Sequence, residues 1–329
     1  MVGKLNDYKY RIMKKRFAFL TTFVLSAIFL VYISCEKNES EIVGIKDISL
    51  KNYPRVDGST SANILNTMVF CKLLGVDYSW MVLVQEWFLQ PSMQDEKVRD
   101  CYHERIKTSQ THGAFMNLIN GNADIIITHR TISPDEKAHA DACGVKLIET
   151  PIALDAFVFV VNKNNSVKSL TVSQIQKIYT EEITNWSLVG GNNENMKVFT
   201  RPRNSGSEEV FRNLVMNGLE PSDFPEAAIG SMAWVFNEVK DNANSICYSY
   251  NTYKELQARV PDSEVPKISI NGIFPNENSV KNETYPFISK VHVAIRSDLN
   301  HHSMAYKLYK WLQSEEAKSI IRECGFITK

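Results

Sequence analysis

Three times in this chain a short strand-like segment runs into a turn rich in hydroxyls and glycine, and then into a helical pattern. The turns are Gly58-Ser59-Thr60-Ser61, Thr108-Ser109-Gln110-Thr111-His112-Gly113 and Ser205-Gly206-Ser207. A chain built from such steps is restricted to an α/β architecture, because each helix must pack its apolar stripe back onto a sheet. The rest of the pattern agrees. Ile64, Leu65, Met68, Val69 and Leu73 recur at helical spacing and Gly75 follows as a stop. "GAFMNLING" and "TVSQIQKIY", the latter capped by Thr171, read as helices, and so do "HSMAYKLYKWLQ" and "EEAKSIIREC", ended by Gly325. "NADIIITHR", "LDAFVFVVN", "MKVFTR" and "ISKVHVAIR" read as strands. Such alternation predicts a largely parallel sheet.

Each turn carries a chemistry as well as a shape. A helix start exposes unpaired N–H groups and the positive end of its dipole, so it attracts an anion. Serine and threonine add donors without bulk, and Arg201, just ahead of Ser205, adds a charge-assisted partner for an oxyanion. The competing explanation is helix capping, worth about 1 kcal/mol per turn. Ser205 with Glu208 is a capping-box pattern, which accounts for Glu208; Glu209 has no such role. A serine nucleophile has little support. No Gly-x-Ser-x-Gly elbow surrounds Ser59, Ser205 or Ser207, and no spacing ties His112 or His129 to a serine.

The amino end reads as an export signal. Lys14-Lys15-Arg16 precede an apolar run from Phe17 to Ile33, closed by Ser34 before Cys35, and the stretch from Met13 is by itself a complete signal. The run also reaches the minimum of about 17 residues for a spanning anchor. The small residue before Cys35 favours a lipoprotein signal over residues 1–34, lipidation at Cys35 and a tether over residues 35–45. Residues 1–34 hold six basic residues and one acid, so of 37 of each sign in the whole chain the remainder keeps 31 basic and 36 acidic. A body of that sign has no general attraction for nucleic acid, so any bound anion needs a local site. Cys71, Cys101, Cys143, Cys247 and Cys324 are an odd, widely spaced set with no metal-ligand spacing. Cys71 and Cys324 lie in apolar helical patterns, as core residues do. Tyr179, Trp186 and Trp311 sit in contexts that predict packing rather than ligand stacking, and His301-His302 reads as an exposed helix start.

In order, "DGSTS", "GNADIIITHRTIS", "PIALDAFVFVVN", "SLTVSQIQKIYTEEITNW", "FTRPRNSGSEEVF" and "AYKLYKWLQSEEAKSIIRECGFI" span about Tyr53 to Ile327. Together they resemble the extracytoplasmic phosphate-binding protein of the phosphate ABC transporter. The resemblance implies a two-lobed periplasmic-binding-protein fold of type II, crossed twice by the chain near Ala153–Ala156 and Pro286–Lys290. Residues 46–153 and 290–329 would form one lobe and 154–289 the other. It implies a monomeric binding protein rather than an enzyme, with no cofactor or metal. Such a protein would be lipid-anchored to a bacterial membrane, face the periplasm or cell exterior, and hand inorganic phosphate to an ABC transporter permease. The matching ligand positions are Thr60, Ser61, Thr111 (or Ser109 if the alignment slips), Arg201, Ser205, Gly206 and Ser207. His129 stands where the family's proton-accepting aspartate sits, and a neutral imidazole nitrogen can accept the same proton. Arg203 stands where an acidic residue often steadies the arginine. Two other readings remain open: a surface or sensory lipoprotein of the same fold for another ligand, and a serine phosphohydrolase.

Overall fold

Runs of consecutive apolar residues can be buried on both faces at once, and they form the middle of the fold. The structure, a computed structural model, describes residues 44–83, 86–224 and 232–329. The expected signal segment, Cys35 and most of the tether lie outside these residues. No described helix is long and apolar enough to cross a membrane.

The strands are β1 (Val56–Gly58), β2 (Tyr78–Leu83), β3 (Glu86–Pro91), β4 (Ile125–Thr128), β5 (Leu147–Val161), β6 (Ser169–Leu170), β7 (Lys197–Val198), β8 (Ser245–Tyr250), β9 (Ser269–Ile270) and β10 (Ile288–Arg296). Six of them form one sheet in the order β1-β4-β10-β5-β8-β7. β1 with β4 and β7 with β8 are parallel, whereas β4 with β10, β10 with β5 and β5 with β8 are antiparallel. The expected largely parallel sheet is therefore mixed. The reason lies in β5 and β10, which are long neighbours running in opposite directions. β5 pairs with β10 over its first part and with β8 from Phe157 onward.

These two strands thread two separate cores. One core holds Ala153 and residues before it, together with Val291 and residues after it, and the other holds residues from Leu154 to Phe287. Core membership thus changes within one residue along β5, where Ala153 pairs with Val291 and Leu154 with Lys290. The carboxyl end closes over the same point, as Leu154 and Ile327 exchange backbone hydrogen bonds at 2.7 and 3.0 Å.

The helices used below are α1 (Asn63–Leu74), α2 (Glu96–Arg105), α3 (Gln110–Ile119), α4 (Pro134–Ala142), α5 (Val172–Tyr179) and α6 (Gly206–Val210), which continues as a π-helical turn to Met216. α1 buries Ile64, Leu65, Met68 and Val69 and stops at Gly75, whose φ of 63° suits a residue without Cβ. Thr171 and Gln174 close a full capping box on α5. Cys71 and Cys324 are buried in the first core, and Tyr179 and Trp186 in the second. The hairpin β2–β3 and the strand β8 had no counterpart in the sequence reading. "SICYSY" is buried at every position of β8, so it lacks the alternation that marks a half-exposed strand.

Candidate functional site

The first turn is built on a buried carboxylate. Asp57, 1% exposed, accepts from the backbone N–H groups of Gly58 (2.7 Å) and Ser109 (2.9 Å) and from Asn117 Nδ2 (2.7 Å). Three donors offset the cost of burying that charge, and they lock the first turn to the second. Gly58 has no room for a side chain, since a Cβ would lie 2.6 Å from the carbonyl oxygen of Ile127. The chain then passes through Ser59, Thr60 and Ser61 into α1. At the second turn Gln110 holds a φ of 63°. This is a left-handed conformation that costs a non-glycine residue about 1–3 kcal/mol and tends to occur at functional sites. It sets Thr111 on the cavity side of α3. Ser109 faces away, held by Asp57 and Asn117.

At the third turn Ser205 caps α6, its Oγ accepting from Glu208 N at 3.2 Å. Only half of the expected capping box forms. The Glu208 carboxylate, 1% exposed, turns inward, accepting from Tyr248 OH, from Arg212 Nε at 2.7 Å and from the Arg201 backbone N–H at 3.4 Å. Phe211 stacks on Tyr248 with centroids 4.5 Å apart and rings 6° from parallel, which pins the helix to β8. Such a pair adds about 0.5–1.5 kcal/mol beyond its buried area.

The three turns meet around a cavity of about 50 Å³. By the same measure a single water needs roughly 10–15 Å³, so the space suits one small polyatomic ion. Ser59, Thr60 and Ser61 line it from the first turn, Gln110 and Thr111 from the second, and Arg201, Ser205, Gly206 and Ser207 from the third. Tyr250 and Tyr253 complete the wall. Those two phenols were missed from sequence because they arrive through β8 and the turn after it. The turns approach so closely that a Cβ on Gly206 would stand 2.1 Å from Thr111 Oγ1. Burial pushes the Arg201 guanidinium below its usual range, against raising contributions from Tyr248, Tyr253, Cys247 and Glu208. Arg55, Arg130, Arg212 and Arg296, each beside a carboxylate, are all shifted upward. A desolvated cation ringed by hydroxyls and helix starts gains most from an oxyanion.

His129 differs from the sequence expectation. It is 2% exposed and does not line the cavity. Ser59 and Ser61 stand between it and the cavity, with Ser61 Oγ 2.9 Å and Ser59 Oγ 3.4 Å from its Nδ1. The ring is held back by Tyr250 at 4.3 Å and Phe326 at 5.6 Å between centroids. Arg203 is exposed and lies 4.0 Å from Glu220. Glu209 acquires a partner: its Oε2 is 2.6 Å from Nε of Arg130, whose other nitrogens donate to both oxygens of buried Glu136 at 2.7 Å. His112, at 3.0 Å, lies on that same Glu136. Among the described residues, no cluster of three or more His, Cys, Asp or Glu side chains could hold a metal ion.

A sheet threading two cores, with an anion-sized cavity walled by turns from both, defines a ligand-capturing protein of the two-lobed kind. The family model of the PBP superfamily domain matches residues 84–316, and the chain belongs to that family. It is 25% identical over 209 residues to the phosphate-binding protein PstS of Bacillus subtilis, covering 63% of each chain. It is 24% identical over 228 residues to protein SphX of Synechococcus elongatus, covering 68% of each. The chain thus matches about two-thirds of the length of these relatives. A phosphate-bound substrate-binding protein from Clostridium perfringens shares the fold with a TM-score of 0.62 at 23% identity, over 86% of this chain and all (100%) of that one. An ABC-type phosphate transport receptor from Vibrio cholerae gives 0.60 at 24%, over 84% and 100%.

Proposed function

We propose that this chain captures inorganic phosphate outside the cytoplasm and passes it to the permease of an ABC transporter. The observation that carries the reading is the place of Arg201 in the wall of a cavity of about 50 Å³ that is otherwise lined by hydroxyls, the Gln110 amide and helix starts. Thr60, Ser61, Thr111, Arg201, Ser205, Gly206 and Ser207 form the ligand site, while His129 acts from behind it. Residues 46–153 with 290–329 form one lobe and 154–289 the other, hinged where β5 and β10 pass between the two cores. The relatives named as phosphate-binding proteins support this choice of ligand.

The work is desolvation and closure, not covalent chemistry. A phosphate entering the cleft exchanges water for fixed donors. Closing the lobes brings the Gly206 turn against Thr111, so both halves of the site engage together. The chain acts as a monomer, held to the membrane through a lipid on Cys35. Competition calorimetry with phosphate, sulfate and molybdate tests the ligand. Phosphate should bind the wild-type chain at micromolar affinity or better. Arg201→Ala should lose about 2–5 kcal/mol, the scale for removing one partner of a desolvated charge pair. Wild-type affinity in that variant would put the site elsewhere. Heat with another oxyanion but none with phosphate would replace the ligand and keep the site.

A further inference from the structure

His129 lies directly behind the cavity wall, in line with a second buried group. Its Nε2 is 3.5 Å from Oδ2 of Asp155, which is itself 2% exposed on β5 at the point of crossing. Oδ1 of Asp155 accepts from the Thr252 backbone N–H at 3.2 Å. Oδ2 and the imidazole Nε2 are sealed from solvent, and neither has a hydrogen-bond partner among the described residues, so the 3.5 Å between them is an electrostatic contact. They face each other directly, with His292 near enough to His129 and Tyr250 near enough to Asp155 to interact electrostatically. On the other side Nδ1 meets Ser61 Oγ at 2.9 Å and Ser59 Oγ at 3.4 Å, and the two hydroxyls are 3.2 Å apart. Tyr250 and Phe326 pack on the ring behind the cavity wall, and Ser289 Oγ donates to the His129 carbonyl at 2.9 Å.

The carboxylate decides where a neutral imidazole keeps its proton. A lone pair on Nε2 facing Asp155 is unfavourable and an N–H there is favourable, so Nδ1 becomes the acceptor. Ser61 then donates its single proton backward to Nδ1, and its remaining lone pairs point into the cavity. The rest of the wall offers N–H groups, hydroxyls, the Gln110 amide and a guanidinium, all able to donate. Ser61 is thus set as an acceptor among donors. A hydrogen phosphate carries a proton for it, whereas sulfate near neutrality has none and meets lone pair against lone pair.

We propose that Asp155 and His129 are positioning residues that fix the polarity of Ser61, and that Ser61 selects an oxyanion still carrying a proton. The inference rests on the reading of the cavity as an oxyanion site. Selectivity then comes from a serine hydroxyl whose direction is set two residues away, not from a charged side chain on the ligand.

The test is the ratio of phosphate to sulfate affinity, measured by calorimetry on the purified full chain, wild type and variants. Asp155→Asn replaces the carboxylate with an amide that no longer holds the proton on Nε2. The ratio should fall about tenfold or more, the scale of one hydrogen bond to a charged group. Ser61→Ala should give the same fall, and the double variant should add little to either. Nitrogen-15 shifts of labelled His129 in the wild-type chain should report a protonated Nε2 and a bare Nδ1. A proton on Nδ1 overturns the proposal, as does a ratio within about twofold of wild type in Ser61→Ala. Should Asp155→Asn fail to fold by circular dichroism, Ser61→Ala and the nitrogen shifts decide alone. Phosphate bound with an unchanged ratio overturns the relay only; no binding of either anion by the wild type overturns the oxyanion reading beneath it. Ser, His and Asp also form hydrolytic triads, and turnover of p-nitrophenyl phosphate that Ser61→Ala removes would make Ser61 a nucleophile instead.

Discussion

Replacing Gly206 with alanine puts one methyl group into the gap between the third turn and Thr111 of the second. The new Cβ would stand 2.1 Å from Thr111 Oγ1, 2.9 Å from Thr111 Cβ and 3.4 Å from Thr111 Cγ2. Comfortable contact needs about 3.5 Å between carbons. Rotating Thr111 about χ1 moves the hydroxyl away but leaves its Cβ in place, so the turns themselves must separate by several tenths of an ångström. Overpacking of this kind costs about 1–3 kcal/mol, and under the proposed closure it falls on the ligand-holding arrangement. Phosphate affinity should drop about 5- to 150-fold. The ligand-free chain should be no less stable, because alanine outranks glycine in a helix by up to about 1 kcal/mol. The assay is calorimetry for affinity beside thermal unfolding without ligand. A double-mutant cycle sharpens it. In a Thr111→Gly background neither the hydroxyl nor the Cβ remains, so the same substitution should cost distinctly less. Wild-type affinity in Gly206→Ala, or equal losses in both backgrounds, would refute the idea that these turns meet when ligand is held.

Glu209→Gln removes the charge that pairs with Arg130, and phosphate affinity should weaken several-fold, on the order of 1 kcal/mol for a pair that is only partly buried. Burial pushes the Glu209 carboxyl upward and Arg130 pulls against it, so its stabilising contribution is full below the ordinary carboxylate range and is lost as pH rises through the folded value. Glu209→Gln should flatten that decline in a series of thermal melts from acid to neutral pH, and an unaltered profile would assign the slope to other groups. For the anchor, the wild-type chain expressed in its native kind of cell should incorporate labelled fatty acid and Cys35→Ala should not; equal labelling of the two would remove the lipid from Cys35.

The local chemistry of the site was legible one turn at a time. Hydroxyls and glycine at a strand-to-helix step are short-range signals, set by the need to satisfy backbone N–H groups and to avoid Cβ clashes. That is why the three turns and Arg201 could be singled out, whereas the choice of Thr60, Ser61 and Thr111 within their turns came from the family resemblance; it is also why α1 and α5 appear where their periodicity and caps put them. β8 and the β2–β3 hairpin escaped notice. A strand buried on every side carries no alternation, and a hairpin is decided by its pairing.

By itself the sequence determined an α/β chain with three anion-ready turns, an export-like amino end and a body without general affinity for polyanions. Only the tertiary structure decided that the sheet is mixed, that Tyr250 and Tyr253 close the cavity, and that Asp57 ties the first turn to the second. The two glutamates after Ser205 part ways for the same reason. Glu208 turns inward to Tyr248 and Glu209 reaches Arg130, a residue 79 positions earlier in the chain. His129 shows the limit most plainly, for its place in the sequence sets it at the end of β4 whatever the fold does. Whether its ring touches ligand or stands behind Ser61 depends on Tyr250, Phe326 and Asp155. Packing between segments far apart in sequence has no local signature, and here it moves a side chain by the width of one serine.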